Sequence, residues 1–209
     1  QKTAYEIMPS LVGSEMCIRD RSSRMGSENK LLADINGKPM ILRVVEAANG
    51  SKLDKTFLVT GHQRELIQTA TKAENIQFVH NPNFSEGLSS SIKSVKHQLN
   101  SDVDGVIVCL GDMPGITSAH INTLINTFED NRNRHIFIPI FNGKRGNPVV
   151  WSNKYFSSLC SLTGDMGARP IFESHSDDIL EVEINDDAIH TDLDTPTALK
   201  LYRSKSLDK

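Results

Sequence analysis

From residue 37 onward the apolar positions alternate between two periods. "KPMILRVVEAAN" (38–49) is apolar at Met40, Ile41, Val44, Val45 and Ala48, the spacing of a helix with one buried face. "KTFLVTG" (55–61) is a short β-rich run ending in glycine, and "HQRELIQTATKA" after it reads as helix. "IQFVHNP" (76–82) is the next strand, closed by Asn-Pro. "SEGLSSSIKSVKHQL" follows as a helix with a serine cap and apolar Leu88, Ile92, Val95 and Leu99. "DGVIVCLGDMP" (104–114) holds a continuous apolar run, the pattern of a parallel strand buried on both faces. "TSAHINTLINTFED" then predicts a capped helix.

In "RHIFIPIFNGKRGNPVVW" (134–151) two β-rich runs flank "NGKRG", a hairpin signal. "NKYFSSLCSL" and "GDMGARPIFESH" predict helices, and "ILEVEI" (179–184) a late strand. "DLDTPTALKLYRS" closes the pattern as a helix capped by Asp194 or Thr195, with Pro196 in its first turn and Leu199 and Leu201 following. Strand–helix alternation at this spacing predicts an α/β fold: a mostly parallel sheet with helices on both faces and a small β-hairpin insertion. Ligands of such sheets bind beyond the carboxyl ends of the strands. The residues to weigh are therefore Gly61 and His62, Asn81 to Asn83, Gly111 to Pro114, and Asp192 to Asp194.

Composition narrows the picture. A chain of 209 residues with 38% hydrophobic and 23% charged positions supports one domain with its own core. A net charge of −3 makes no electrostatic case for nucleic acid or an anionic membrane surface. The longest apolar runs, "VIVCL" and "IFIPIF", are too short to span a bilayer. Cys17, Cys109 and Cys160 form no C-x-x-C pair, which argues against a disulfide framework or zinc site and fits a reducing, cytoplasmic setting. Residues 1–20 show no clean period, no cap and no signal-peptide form.

Candidate chemistry gathers after the strands. Asp112, in "LGDMP", follows a buried strand and can hold a divalent cation against phosphate oxygens; as a turn former it needs no ligand at all. Asp192 and Asp194 offer a second contact, with helix capping as the alternative for Asp194. "RSSRMGSENKLL" (21–32) gathers Arg21, Arg24 and Lys30 around a glycine, either a phosphate cradle or a solvated basic loop; it is not a Walker A sequence. Lys144 and Arg145 stand at the hairpin tip, a charged turn unless Asn147 and Pro148 shape a pocket wall, and Arg169 at a helix start either holds an anion or is exposed with no ligand. The seven histidines show no metal-ligand spacing, and no nucleophile elbow or dinucleotide fingerprint is present.

Taken in order, "RSSRMGSENKLL", "GKPMI", "GLSSSIKSV", "GDMPGI", "GKRGNPVVW", "LTGDMGAR" and "DLDTPTALK" resemble the MobA-like nucleotidyltransferases, and within them the molybdenum cofactor cytidylyltransferases. The resemblance spans residues 21–200; "GLSSSI", "RGNPV" and "GDMGAR" favour the cytidylyl over the guanylyl branch. It implies a Rossmann-like three-layer fold and Mg²⁺-dependent transfer of CMP from CTP to the phosphate of a molybdopterin-type cofactor, with release of pyrophosphate. By that likeness Arg24 and Lys30 bind the triphosphate and act in catalysis with Asp112. Ser23, Gly26, Ser89, Ser90 and Gly111 line the nucleotide. Asp112 and Asp194 hold Mg²⁺, and Arg145, Asn147 and Arg169 face the acceptor. A molybdoenzyme or its chaperone would receive the product.

One departure stands out. The family precedes its loop with Leu-Ala-Ala-Gly or Leu-Ala-Gly-Gly, where this chain has "CIRD" (17–20), placing Asp20 where a glycine should touch phosphate. Residues 1–20 are therefore expected to be foreign to the fold, translated adapter or vector sequence joined to a single nucleotidyltransferase domain over 21–209, whose natural central strand is then missing. Rival readings keep the family and change the base to guanine, change the acceptor to another small phosphorylated metabolite, or leave a catalytically impaired nucleotide-binding protein.

Overall fold

The computed structural model describes residues 10–15, 29–72, 74–86, 88–96, 98, 103–162 and 167–207. Its strands are β1 (Ser10–Glu15), β2 (Asp34–Ile35), β3 (Lys38–Pro39), β4 (Lys55–Thr60), β5 (Gln77–His80), β6 (Gly105–Leu110), β7 (Ile136–Phe141), β8 (Lys144–Arg145), β9 (Val149–Ser152) and β10 (Ile179–Glu183). Its α-helices are α1 (Met40–Asn49), α2 (Arg64–Ala70), α3 (Leu88–Lys96), α4 (Ser118–Asp130), α5 (Phe156–Ser161), α6 (Arg169–Ser174) and α7 (Pro196–Leu207). Each strand and helix predicted from residue 37 onward is present.

The main sheet runs β10-β7-β9-β6-β1-β4-β5, with β8 paired to β7. Strands β10, β7, β6, β1, β4 and β5 share one direction, and β9 and β8 run against them. The reversal follows from chain length, because the short link after β7 leaves no room for a crossover helix. Asn142 and Gly143, at φ 51° and 71°, make the tight two-residue turn that "NG" predicts, but it joins β7 only to β8. Beyond that turn the chain leaves the ladder, and β9 pairs with the start of β7 and with β6.

Ser10–Glu15 stands between β6 and β4, parallel to both, so the central place is filled. Side-chain period does not mark this segment. Backbone pairing does, because a gap there would leave N–H and C=O groups of two interior strands unpaired.

Alternation along the strands divides the core. Phe57, Val59, Val106, Val108, Ile136, Ile138 and Trp151 face Ile92 and Val95 of α3, Leu159 of α5 and Ile171 of α6. The intervening Ile107, Cys109, Phe137 and Val150 face Val44 and Ala48 of α1 and Ile121, Leu124 and Phe128 of α4. A third cluster joins Leu31, Ile35, Met40, Ile41, Leu58, Leu193 and Leu199. Each full side-chain burial contributes roughly 1.5–3 kcal/mol. Of the two leucines predicted to follow Pro196, Leu199 is buried and Leu201 is 57% exposed, since positions two apart on a helix do not share a face. Among the described residues no helix is long and apolar enough to cross a membrane.

Candidate active site

Three chain segments meet beyond the carboxyl end of β6. The first is a short turn over Lys30–Leu32, opened by Asn29, whose Oδ1 accepts the Leu31 N–H at 3.1 Å. Leu31 is fully buried, which anchors the turn and leaves Lys30 directed to the sheet edge. The second is the turn after β6, where buried Gly111 precedes Asp112 and buried Met113 and Ile116 fix the loop to the core. The third is Asp192–Asp194, pinned by buried Leu193, whose N–H donates to the Asp112 carbonyl at 3.0 Å.

Lys30 Nζ joins them, donating to Asp112 Oδ2 at 2.6 Å and to Asp194 Oδ1 at 2.5 Å. Thr195, not Asp194, caps α7: its Oγ1 accepts the Ala198 N–H at 3.1 Å, which leaves Asp194 for Lys30. Burial draws the Lys30 ammonium down, but the charge and hydrogen bond of Asp112 and then those of Asp194 outweigh it and hold it raised. Burial pushes the Asp194 carboxyl up, and the Lys30 hydrogen bond and charge more than offset this, leaving it below the usual carboxylate range. Asp192 has no such relief; desolvation and then the neighbouring Asp194 charge push its carboxyl up. Among the described residues, Lys30 is thus shared by the Asp112 and Asp194 carboxylates, with Asp192 beside them.

Two of these carboxylates suit a divalent cation that also takes phosphate oxygens, while among the described residues no group of three His, Cys, Asp or Glu side chains makes a metal site by itself. Carboxylates from two separate loops converge on one point, and Asp112 Oδ1 is buried with no hydrogen-bond partner. Two further buried atoms are unpartnered, Asn29 Nδ2 and Gln63 Oε1. Both belong to loops of the same edge: Asn29 adjoins Lys30, and Gln63 follows β4 with a left-handed φ of 50°. The sequence reading passed over both. For Gln63 the signal is position after β4, one residue beyond His62; Asn29 stands one residue before Lys30.

The other predicted residues are placed as follows. Ser23, Arg24 and Gly26 lie outside the described residues, as does "CIRD". Ser89 and Ser90 are buried in the first turn of α3, and buried Asn81 donates from Nδ2 to Ser90 Oγ at 2.8 Å and to Ser91 Oγ at 3.1 Å. Arg145 is engaged by Glu181 on β10, Nε to Oε1 at 2.7 Å. The Asn147 N–H donates to the Ile189 carbonyl at 2.9 Å, which ties the hairpin loop to the turn leading into Asp192. Arg169 opens α6 and is exposed.

A parallel-rich sheet with helices on both faces and an acidic cluster around Lys30 at its carboxyl edge is a Rossmann-like frame. The family model described as the MobA-like NTP transferase domain matches residues 20–179, and the chain belongs to that family. A molybdenum cofactor cytidylyltransferase from Escherichia coli is 26% identical over 176 residues, covering 84% of this chain and 86% of that protein. The bifunctional protein GlmU of Shouchella clausii is 36% identical over 112 residues, 53% of this chain. The matches take in only 23–37% of the length of the GlmU proteins concerned. Among solved structures, a homologue of Mycobacterium tuberculosis Rv0371c from Mycobacterium sp. strain JC1 superposes with a TM-score of 0.80 at 20% identity, over 97% of this chain and 98% of that one. A CMP:2-keto-3-deoxy-manno-octonic acid synthetase complexed with CTP superposes with a TM-score of 0.73 at 17% identity, over 96% and 98%.

Proposed function

We propose that the protein transfers a cytidylyl group from CTP to the phosphate of a molybdopterin-type molybdenum cofactor, releasing pyrophosphate, with Mg²⁺ as the cation. The observation that carries the reading is the convergence of Lys30, Asp112 and Asp194 at the sheet edge. Choice of base and acceptor draws on the Escherichia coli relative, which aligns with 84% of this chain.

An acceptor phosphate oxygen attacks the α-phosphorus of CTP, and the bond to the bridging β-phosphate oxygen breaks. Charge grows on the leaving pyrophosphate, so catalysis is positioning plus electrostatics. Lys30 supplies a fixed positive charge to the triphosphate, joined by Arg24, with Ser23 and Gly26 shaping the loop. Asp112 and Asp194 hold Mg²⁺, which when bound neutralises phosphate oxygens. Ser89, Ser90 and Gly111 line the nucleotide side; Arg145, Asn147 and Arg169 serve the acceptor side. The product passes to a molybdoenzyme or its chaperone.

The test is Mg²⁺-dependent pyrophosphate release with molybdenum cofactor, comparing CTP with GTP. It is run on this chain and on a version with residues 17–20 replaced by Leu-Ala-Ala-Gly. Release with CTP alone is expected, and a gain on replacement supports a foreign origin for residues 1–20. Genomic DNA upstream of codon 21 checks that origin directly: the same twenty codons there would rule it out. Release with GTP alone reassigns the base, and no release from either version overturns the acceptor.

A further inference from the structure

The same nitrogen touches two carboxylates that the functional reading gives to a divalent cation. Lys30 Nζ takes Asp112 Oδ2 at 2.6 Å and Asp194 Oδ1 at 2.5 Å; the side chains of Lys30 and Asp112 are only 15% and 17% exposed, that of Asp194 52%. Burial limits screening of the Lys30–Asp112 contact, and a second cation on the same oxygens meets that positive charge at close range. Asp112 Oδ1, buried and unpartnered, is the acceptor this ammonium leaves over. The oxygens Lys30 takes, Asp112 Oδ2 and Asp194 Oδ1, are ones a cation shared between the two carboxylates would need.

We propose that Lys30 is an internal counter-ion that competes with the divalent cation for Asp112 and Asp194, so that the cation is held tightly only once a nucleotide triphosphate has drawn the ammonium away. The inference rests on the reading of those aspartates as cation ligands and adds an order of loading to it. The triphosphate gives the ammonium another anion, and a four-carbon stem lets it travel between the two. Nucleotide and cation then bind with positive coupling, each strengthening the other by the same factor. A lysine that served the phosphates alone would leave cation affinity of the free protein untouched when removed.

The probe is Mn²⁺, titrated into the whole protein and followed by loss of the free-ion electron paramagnetic resonance signal. Titrations are run with and without α,β-methylene-CTP, against a nucleotide-only control. The wild type is expected to bind Mn²⁺ weakly alone and about tenfold or more tightly with the analogue. K30M and K30Q, checked for native fold by circular dichroism, are expected to bind Mn²⁺ about tenfold tighter than wild type without nucleotide, and to lose most of the analogue's enhancement. Equal Mn²⁺ affinity of wild type with and without analogue overturns the proposal, with no variant needed. So does failure of both variants to tighten binding. D112N separates the two layers. If it abolishes Mn²⁺ binding in the analogue complex while the Lys30 variants fail to tighten, the cation site stands and the competition falls. If it leaves Mn²⁺ binding unchanged, both fall.

Discussion

Asp112→Asn separates a functional cluster from a structural strut. Removing one partner of a well-buried ion pair costs about 3–5 kcal/mol, because the other charge is left uncompensated. Here that cost does not arise in full. Lys30 keeps Asp194 at 2.5 Å, and the asparagine carbonyl can still accept from it. Among the described residues, Asp192 lies beside Asp112 and Asp194, and its carboxyl is raised by desolvation first and then by their negative charge. Losing one negative charge relieves this. The two effects offset to within about 1 kcal/mol, which for a chain of this size is a melting shift of only about 2–4 °C. Activity should behave differently under the proposed role, in which Asp112 would hold the cation that offsets charge developing in the transition state; a loss of about 10²–10³-fold in kcat is expected. The assay is thermal unfolding beside pyrophosphate release on the same preparation. A melting temperature lower by about 10 °C with activity retained would refute the reasoning and make the Lys30–Asp112 pair a strut.

Asp192→Asn should raise the melting temperature at pH 7: the Asp192 carboxyl is raised in the folded state, so its charge opposes folding above that range, and the gain should vanish as pH falls toward 4 and the carboxyl protonates. Gly146→Ala should destabilise by roughly 2–3 kcal/mol, since a Cβ there would sit 2.3 Å from the Ile189 carbonyl oxygen and push off the loop that Asn147 ties down; a melting temperature unchanged within error would count against this tight contact. Asp178→Ala should cost about 1–3 kcal/mol by stranding the Tyr155 hydroxyl, which donates to Asp178 alongside Lys154. In the wild type, the hydrogen bonds of Lys154 and then Tyr155 hold the Asp178 carboxyl low. Its stabilisation is therefore complete above the ordinary carboxylate range and lost as pH falls through the depressed value. Acid unfolding of this variant should show a shallower slope below pH 4.

Local chemistry was legible in the residues. The 3.6-residue spacing at Met40, Ile41, Val44, Val45 and Ala48, the uninterrupted "VIVCL" run and the Asn142-Gly143 turn each state their element within a few positions, because helix faces, strand faces and tight turns are short-range consequences of backbone geometry. The carboxyl-edge rule singled out Asp112, Asp192 and Asp194 before any contact was known. What the residues left open was decided at long range. Whether Asp194 caps α7 or meets Lys30 depends on Thr195 taking the cap and on Leu193 bonding the Asp112 carbonyl. The Lys30 pairs close across 82 and 164 positions of chain, a closure that depends on the order of the strands. The antiparallel run of β9 follows from the short link after β7, and the use of Ser10–Glu15 at the centre from backbone groups of β4 and β6 that would otherwise lie unpaired. Buried orphans such as Asn29 Nδ2 and Gln63 Oε1 exist only once the fold has closed over them. Periodicity is written in neighbours, whereas a charge cluster belongs to segments that become neighbours only when the sheet has formed.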